Sequence, residues 1–322
     1  MRRFLPLLLA ALLLFTACSP QQNPFGENGS GSDPSEPQIT FTDDLGRRLS
    51  LAKPQRVAAL IGSFADIWCL AGGKDSLIAA AADSWTSFDL ELSDTVTNIG
   101  SVKEPNLERI LASQPDLILA SCNTAADLEL LSTFEKAGIP AAYFEVETFE
   151  DYLRMLKICC SLTGDAEAYK TYGTAVSSQI ETARSRVPSF TDGEAPSVLY
   201  IRATGSSCKA KASEGSVLGS MLKNLGCINI ADSTSSLLET LSLEAIIQAD
   251  PDYIFVVLQG ADPTKAKATL QQTLLSNPAW SNLRAVKEGR FHTMDHFLYN
   301  LKPNDRWGDA YEALADILYP KQ

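Results

Sequence analysis

Two rhythms of apolar positions alternate along this chain, and each switch between them marks an element boundary. Ile39-Thr40-Phe41-Thr42 and Arg48-Leu49-Ser50-Leu51 alternate in period two around Asp43-Asp44-Leu45-Gly46, which predicts a hairpin. Arg56–Ile61 then predicts a strand, Gly62-Ser63 a turn, Phe64–Leu70 a helix stopped by Gly72-Gly73, and Leu77–Ala81 a second strand. Strand and helix keep alternating as far as Ala141–Phe144. From Thr148 to Val187 the period is helical throughout, over Asp151–Leu162 and, after Thr163-Gly164-Asp165, over Ala166–Arg186. Strand signals resume at Ser197–Ile201 and Arg290–Met294, with helices over Val217–Leu225 and from about Asp305 to Leu318.

One phrase occurs twice. Leu107-Glu108-Arg109-Ile110-Leu111-Ala112-Ser113-Gln114-Pro115-Asp116-Leu117-Ile118-Leu119 reappears as Leu243-Glu244-Ala245-Ile246-Ile247-Gln248-Ala249-Asp250-Pro251-Asp252-Tyr253-Ile254-Phe255. In each copy the apolar residues fall at helical spacing, Pro and Asp stop the helix, and a continuous apolar run follows as a buried strand. Such a unit belongs to a parallel sheet. Its duplication predicts an α/β protein of two lobes, residues 39–147 and 188–322, joined by a stiff helical connector over 148–187. Concave sites form where lobes meet, so a small-ligand cleft is expected between them.

The N-terminus carries a different message. Met1-Arg2-Arg3 is basic, Phe4–Phe15 is apolar but too short to span a bilayer comfortably, and Thr16-Ala17 places small residues before Cys18. Residues 1–17 read as an export signal, and Phe15-Thr16-Ala17-Cys18 resembles a bacterial lipobox whose Cys18 would be lipidated; an ordinary signal peptide cut near Cys18 is the alternative. Residues 18–38 are rich in Pro, Gly, Ser, Asn and Gln and read as a flexible tether. The expected location is therefore the outer face of a cell membrane, by a lipid anchor. Loss of residues 1–17 removes Arg2 and Arg3 and leaves 25 basic against 39 acidic residues, a formal charge of −14 in place of −12. An acidic body of this kind argues against nucleic acid as a partner. Beyond Cys18 the six cysteines Cys69, Cys122, Cys159, Cys160, Cys208 and Cys227 show no C-x-x-C pair or regular framework, and read mostly as small buried hydrophobes.

Several stretches together carry a family resemblance. Thr42–Arg47, Val57–Ser63, Gly100-Ser101-Val102-Lys103-Glu104-Pro105-Asn106-Leu107-Glu108 and Leu225-Gly226-Cys227-Ile228-Asn229 resemble the helical-backbone substrate-binding lipoproteins of ABC importers, over the whole body from about Ile39 to Pro320 and in the same order. The resemblance implies a monomeric receptor without a cofactor, whose cargo is a metal chelate: a ferric siderophore or haem, with cobalamin as the alternative. It also implies an importer permease and, through it, an ATPase as partners. In that family a surface Glu on each lobe docks into Arg pockets of the permease, and Glu108 and Glu244 match those positions. Each also lies near a helix start, where a carboxylate favours the unpaired amides, so helix stabilisation is the competing explanation. The symmetry of the pair favours docking.

Open α/β sheets bind ligands at the carboxyl ends of their strands. In the first half these ends carry Ser63, Phe64, Trp85, Ser101, Lys103 and Asn123; in the second, Arg202, Lys209, Lys211, Gln259, His296 and Tyr299. Trp85 offers a flat apolar face with an N–H, suited to a macrocycle or aromatic chelate, or else it is a core residue. Arg202, Lys209 and Lys211 form a basic group in an acidic chain and suit anionic cargo, though a solvated loop face would also hold them. The only histidines are His292, in a predicted strand, and His296, in the predicted loop after it, where His296 is a candidate metal ligand. The chain lacks a Gly-x-Ser-x-Gly elbow, a P-loop and a His-Glu-x-x-His motif, and two histidines cannot furnish a free zinc or manganese site. The remaining rival is a tethered α/β enzyme of the metal-chelatase kind.

Overall fold

The computed structural model describes residues 37–321 except 192 and 261. The export signal, Cys18 and the expected tether up to residue 36 lie outside them. The chain begins with an antiparallel hairpin, β1 (Ile39–Thr42) and β2 (Arg48–Leu51), closed by Gly46 at φ 76°. The first half continues through β3 (Val57–Ala59), α1 (Gly62–Trp68), β4 (Leu77–Ala80), a helical turn α2 (Asp83–Thr86) and β5 (Thr97–Asn98). A small hairpin, β6 (Gly100–Ser101) and β7 (Glu104–Pro105), leads into α3 (Leu107–Ala112), β8 (Leu117–Ser121), α4 (Ala125–Ala137) and β9 (Ala141–Phe144). Strands β5-β4-β3-β8-β9 form one parallel sheet. Strands β3, β8 and β9 are buried along their whole length, which is why they read as apolar runs.

The helical stretch that follows is three helices in series. α5 (Phe149–Thr163) starts with a reciprocal capping box between Thr148 and Asp151 and ends at Gly164, whose φ of 84° a residue with a Cβ adopts only under strain. α6 (Ala166–Tyr169) runs through a wide turn into α7 (Ala175–Arg184). The second half comprises β10 (Ser197–Ala203), β11 (Cys208–Lys211), α8 (Val217–Asn224), β12 (Ile228–Asn229), α9 (Ile230–Ser233), α10 (Ser235–Glu239) and α11 (Leu243–Ala249). β13 (Tyr253–Leu258), α12 (Pro263–Leu270), α13 (Arg284–Lys287), β14 (Phe291–Met294), α14 (His296–Tyr299) and α15 (Trp307–Leu318) complete it. Here β10-β13-β14 are parallel, and β11 closes the edge antiparallel to β10.

The duplicated phrase is the same device in both sheets. α3 leads into β8 and α11 into β13, each a strand beside the first of its sheet. The residues before the two prolines, Gln114 and Asp250, both take left-handed conformations at φ 51° and 40°. Asp116 accepts the Gln55 and Arg56 amides at 2.8 and 3.0 Å, and Asp252 accepts the Ser197 amide at 2.9 Å and its hydroxyl at 2.7 Å. The repeated Pro-Asp therefore does more than stop a helix: its carboxylate fixes the start of the neighbouring strand.

One apolar core runs between the two sheets. It takes Val57, Ala59, Leu117, Leu119 and Phe144 from the first, Val198, Tyr200, Phe255 and Val257 from the second, and Tyr152, Val176, Ile180, Trp307 and Leu314 from α5, α7 and α15. The outer faces bury separate clusters, around Leu60, Ile118 and Tyr143 on one side and Leu199, Ile201 and Val256 on the other. The fold is thus α/β with two helix-covered, largely parallel sheets and helices between them. The six described cysteines are free, four of them buried. No helix among the described residues is long and apolar enough to cross a membrane.

Candidate ligand-binding cleft

Strand parity locates the site. In β10, Val198 and Tyr200 point into the shared core while Leu199, Ile201 and Ala203 point away from it, so Arg202 continues the inward face at the strand's carboxyl end, where the core gives out. β11 pairs with β10 so that Lys209 faces Arg202 and Lys211 faces Tyr200. Arg202, Lys209 and Lys211 thus share one face of an edge ribbon. Lys302, on the turn after α14, adds a fourth cation whose charge acts on Arg202.

Burial pushes the Lys302 ammonium below its ordinary pKa; Glu147 and Asp83 oppose the shift and Arg202 adds to it. Lys211 is lowered for the same reason, with Arg202 and Lys209 adding and Glu147 opposing. None of the four cations makes an ion pair among the described residues. Elsewhere, Arg154 is held by Asp44 and Asp151 and Arg186 by Asp316. Among the described residues, Arg202 Nε and the Tyr200 hydroxyl, two positions apart on β10, and His296 Nδ1, at the start of α14, are buried polar atoms without a hydrogen-bond partner. Such atoms cost free energy unless something fills the space beside them.

The first sheet supplies the opposing wall. Asp83, at the start of α2, accepts the Gly62 amide at 2.9 Å, and burial raises its pKa. Glu147, beyond β9, accepts Asn123 Nδ2 at 2.9 Å; burial raises it too, assisted by Glu145. Two contacts join the halves. Phe88 and Phe297 meet edge to face with centroids 5.1 Å apart, and Asn304 donates to the Ser63 carbonyl at 2.9 Å and Asp66 Oδ2 at 2.7 Å. Asn304 is fully buried at φ 52°, a conformation held by these bonds.

The sequence-predicted residues divide accordingly. Arg202, Lys209 and Lys211 come together on one ribbon face, and Asn123 donates to Glu147 beyond β9. Gln259 follows β13 with its amide donating to the Ala203 carbonyl at 2.7 Å, next to Arg202 in sequence. Trp85 is half-buried in α2 and leans on the shared core. Ser101 and Lys103 are exposed around the β6–β7 hairpin, with no hydrogen bond or ion pair to the cation cluster. Two expectations fail on burial. Phe64 is 0 % exposed and packs edge to face on Phe144, and Tyr299 is 2 % exposed with its hydroxyl on the Ala310 carbonyl at 3.0 Å, so both are core residues rather than ligand contacts. Ser63 is also closed off, at 1 % exposed, under the Asn304 bond. His296, expected in a loop, opens α14 behind the Asp295 cap; burial lowers its pKa. Glu108 and Glu244 are both exposed in the first turns of α3 and α11, behind the caps Asn106 and Ser242. Lys302, Glu147 and Asp83 escape sequence reasoning, because a Lys before a Pro and single carboxylates at strand ends carry no spacing signal.

The family model for periplasmic binding proteins matches residues 57–296. The chain belongs to that family. It is similar to the Fe(3+)-citrate-binding protein YfmC of Bacillus subtilis, 27 % identical over 89 % of this chain and 87 % of that one. It is also similar to the ferric-anguibactin-binding protein FatB of Vibrio anguillarum, 23 % identical with the same coverage of both chains. Among solved structures, the periplasmic heme-binding protein RhuT from Roseiflexus superposes with a TM-score of 0.66 at 20 % identity, over 82 % of this chain and 98 % of that one. As a periplasmic binding protein the chain is an extracytoplasmic solute receptor of an ABC uptake system rather than an enzyme, and what occupies its cleft is cargo rather than a cofactor.

Proposed function

We propose that this periplasmic binding protein is anchored to the membrane through a lipid on Cys18, captures an iron complex in the cleft between its sheets, and delivers it as a monomer to an importer permease. The observation that carries the reading is the group Arg202, Lys209 and Lys211, brought to one face of the β10–β11 ribbon and without ion pairs among the described residues, in a chain of formal charge −12. Ferric siderophores and haem propionates bring negative charge, and Arg and Lys in a partly desolvated cleft gain most from such groups. The names of YfmC, FatB and RhuT support the same cargo class. Trp85 and Gln259 are assigned to the cargo, with His296 as a contact. Glu108 and Glu244, exposed at matching points of the two repeats, are assigned to the permease.

Intrinsic fluorescence tests the cargo. The mature chain is titrated with ferric citrate, haemin and cyanocobalamin, alongside Trp85→Phe. Saturable quenching by an iron complex, reduced in the variant, is the expected result. A chain that binds none of the three would sink the reading, and quenching unchanged in Trp85→Phe would remove Trp85 from the cleft.

A further inference from the structure

A contact that joins the two walls of a binding cleft has to part before anything can enter between them. Phe88 and Phe297 make a contact of this kind: their rings meet edge to face, with centroids 5.1 Å apart and an interplanar angle of 61°. Each follows the carboxyl end of a strand in its own sheet, where open α/β sheets bind ligands: Phe88 comes after β4 and α2, and Phe297 lies in α14 after β14. Neither ring belongs to the shared core, although Leu90 and Leu298 beside them pack against it. The two sides are held differently. Phe297 sits in a capped turn, with the Leu298 amide on Asp295 Oδ1 at 2.8 Å and the Arg306 guanidinium 6.0 Å from its ring centre. Phe88 lies against Gly62, where a Cβ would fall 2.8 Å from its ring, and it opens a strap in which Asp89 and Glu91 both stand at φ 47°. Left-handed backbone at two non-glycine residues is strained and persists only where its surroundings impose it. Here Leu90 and Leu92 anchor the strap on the core, and the Leu90 amide donates to the Ser84 carbonyl at 3.1 Å.

We propose that Phe88 and Phe297 form an aromatic gate: cargo enters and leaves the cleft only when the two rings part, and they meet again outside the seated cargo. This rests on the cleft being the cargo site and adds how that site is reached. Because one apolar core ties α5, α7 and α15 to both sheets, the halves move little against each other and the opening is local, by rotation of the rings and yielding of the strained strap. The energy typical of an edge-to-face pair corresponds to a factor of about 2–10 in the balance between closed and open. The pair forms over the empty and the loaded cleft alike, so it slows entry and exit by the same factor and leaves affinity nearly unchanged. A ring that touched the cargo would slow exit alone.

The test is stopped-flow fluorescence of the mature chain, Phe88→Ala, Phe297→Ala and the double variant, mixed with ferric citrate and with haemin. Both rings are half-buried and outside the core, so their truncation leaves the fold intact. For the probe that binds, each single variant should raise the association and the dissociation rate constants together, about threefold or more, with Kd within about twofold of the parent. The double variant should go no further than the faster single one, because one ring alone has nothing to meet. A merely structural role would lower association while raising dissociation. That pattern, association unchanged in Phe88→Ala, faster dissociation alone, or additive effects in the double variant each overturns the gate and leaves the receptor reading standing. A chain that binds neither probe removes both.

Discussion

Asp66 offers a quantitative check on how the two halves are held together. It lies on α1 in the first half, and its Oδ2 accepts Asn304 Nδ2, at 2.7 Å, from the turn before α15 in the second. Burial raises its pKa from the ordinary 3.8 to about 6; the Asn304 bond lowers it and the nearby Asp305 charge raises it further. A rise of that size corresponds to about 3 kcal/mol of penalty for holding the charged form, and solvent screening at a half-buried carboxylate reduces it to about 1–2 kcal/mol. The sign follows from which state binds the proton first. The folded chain takes it up near pH 6 and the unfolded chain only near 3.8, so this group contributes its full penalty above about pH 6 and none once both states are protonated. Asp66→Asn is neutral at every pH and keeps an oxygen for Asn304. Thermal unfolding of parent and variant should therefore coincide near pH 4, and the variant should melt about 2–8 °C higher at pH 8. A pH-independent difference, or a variant less stable at pH 8, would refute the argument that this contact buries a charge between the halves.

Two further outcomes bear on function. Replacing Glu108 or Glu244 with Ala removes about 0.3–1 kcal/mol of helix-end stabilisation, so folding and cargo binding should persist while uptake or stimulation of the importer's ATPase falls; intact transport after charge reversal to Arg at both positions would end their assignment to the permease. Because α5, α7 and α15 share one apolar core with both sheets, the halves should close by only a few degrees on binding, and a large fall in radius of gyration by solution scattering would contradict this.

Much of the fold was legible because it rests on local rules. Period-two and helical patterns placed the hairpin at Ile39–Leu51, the long parallel strands of both sheets and the helices over 149–184 within a few residues, but not the short strand β5 or the edge strands β11 and β12. The duplicated phrase predicted two related α/β halves, and the family resemblance stands confirmed by the match over residues 57–296. Even here a function was hidden in a familiar residue: Pro-Asp reads as a helix stop, while Asp116 holds the two residues just before β3 and Asp252 the first residue of β10 through space. The basic group Arg202, Lys209 and Lys211 was visible because one hairpin gathers it.

By itself, then, the sequence determined what depends on neighbours along the chain: strand and helix, the repeat, the caps, the acidic balance and the family. Burial and charge pairing depend on neighbours in space, and only the tertiary structure decided them. Phe64 and Tyr299 sit at strand ends where ligands bind, but the shared core and α15 close over them. Lys302, Glu147 and Asp83 come from turns far apart in the chain and acquire meaning only when the two sheets face each other. A desolvated cation without a partner has no signature in sequence, because the cost that makes it informative arises only when the surrounding water is excluded.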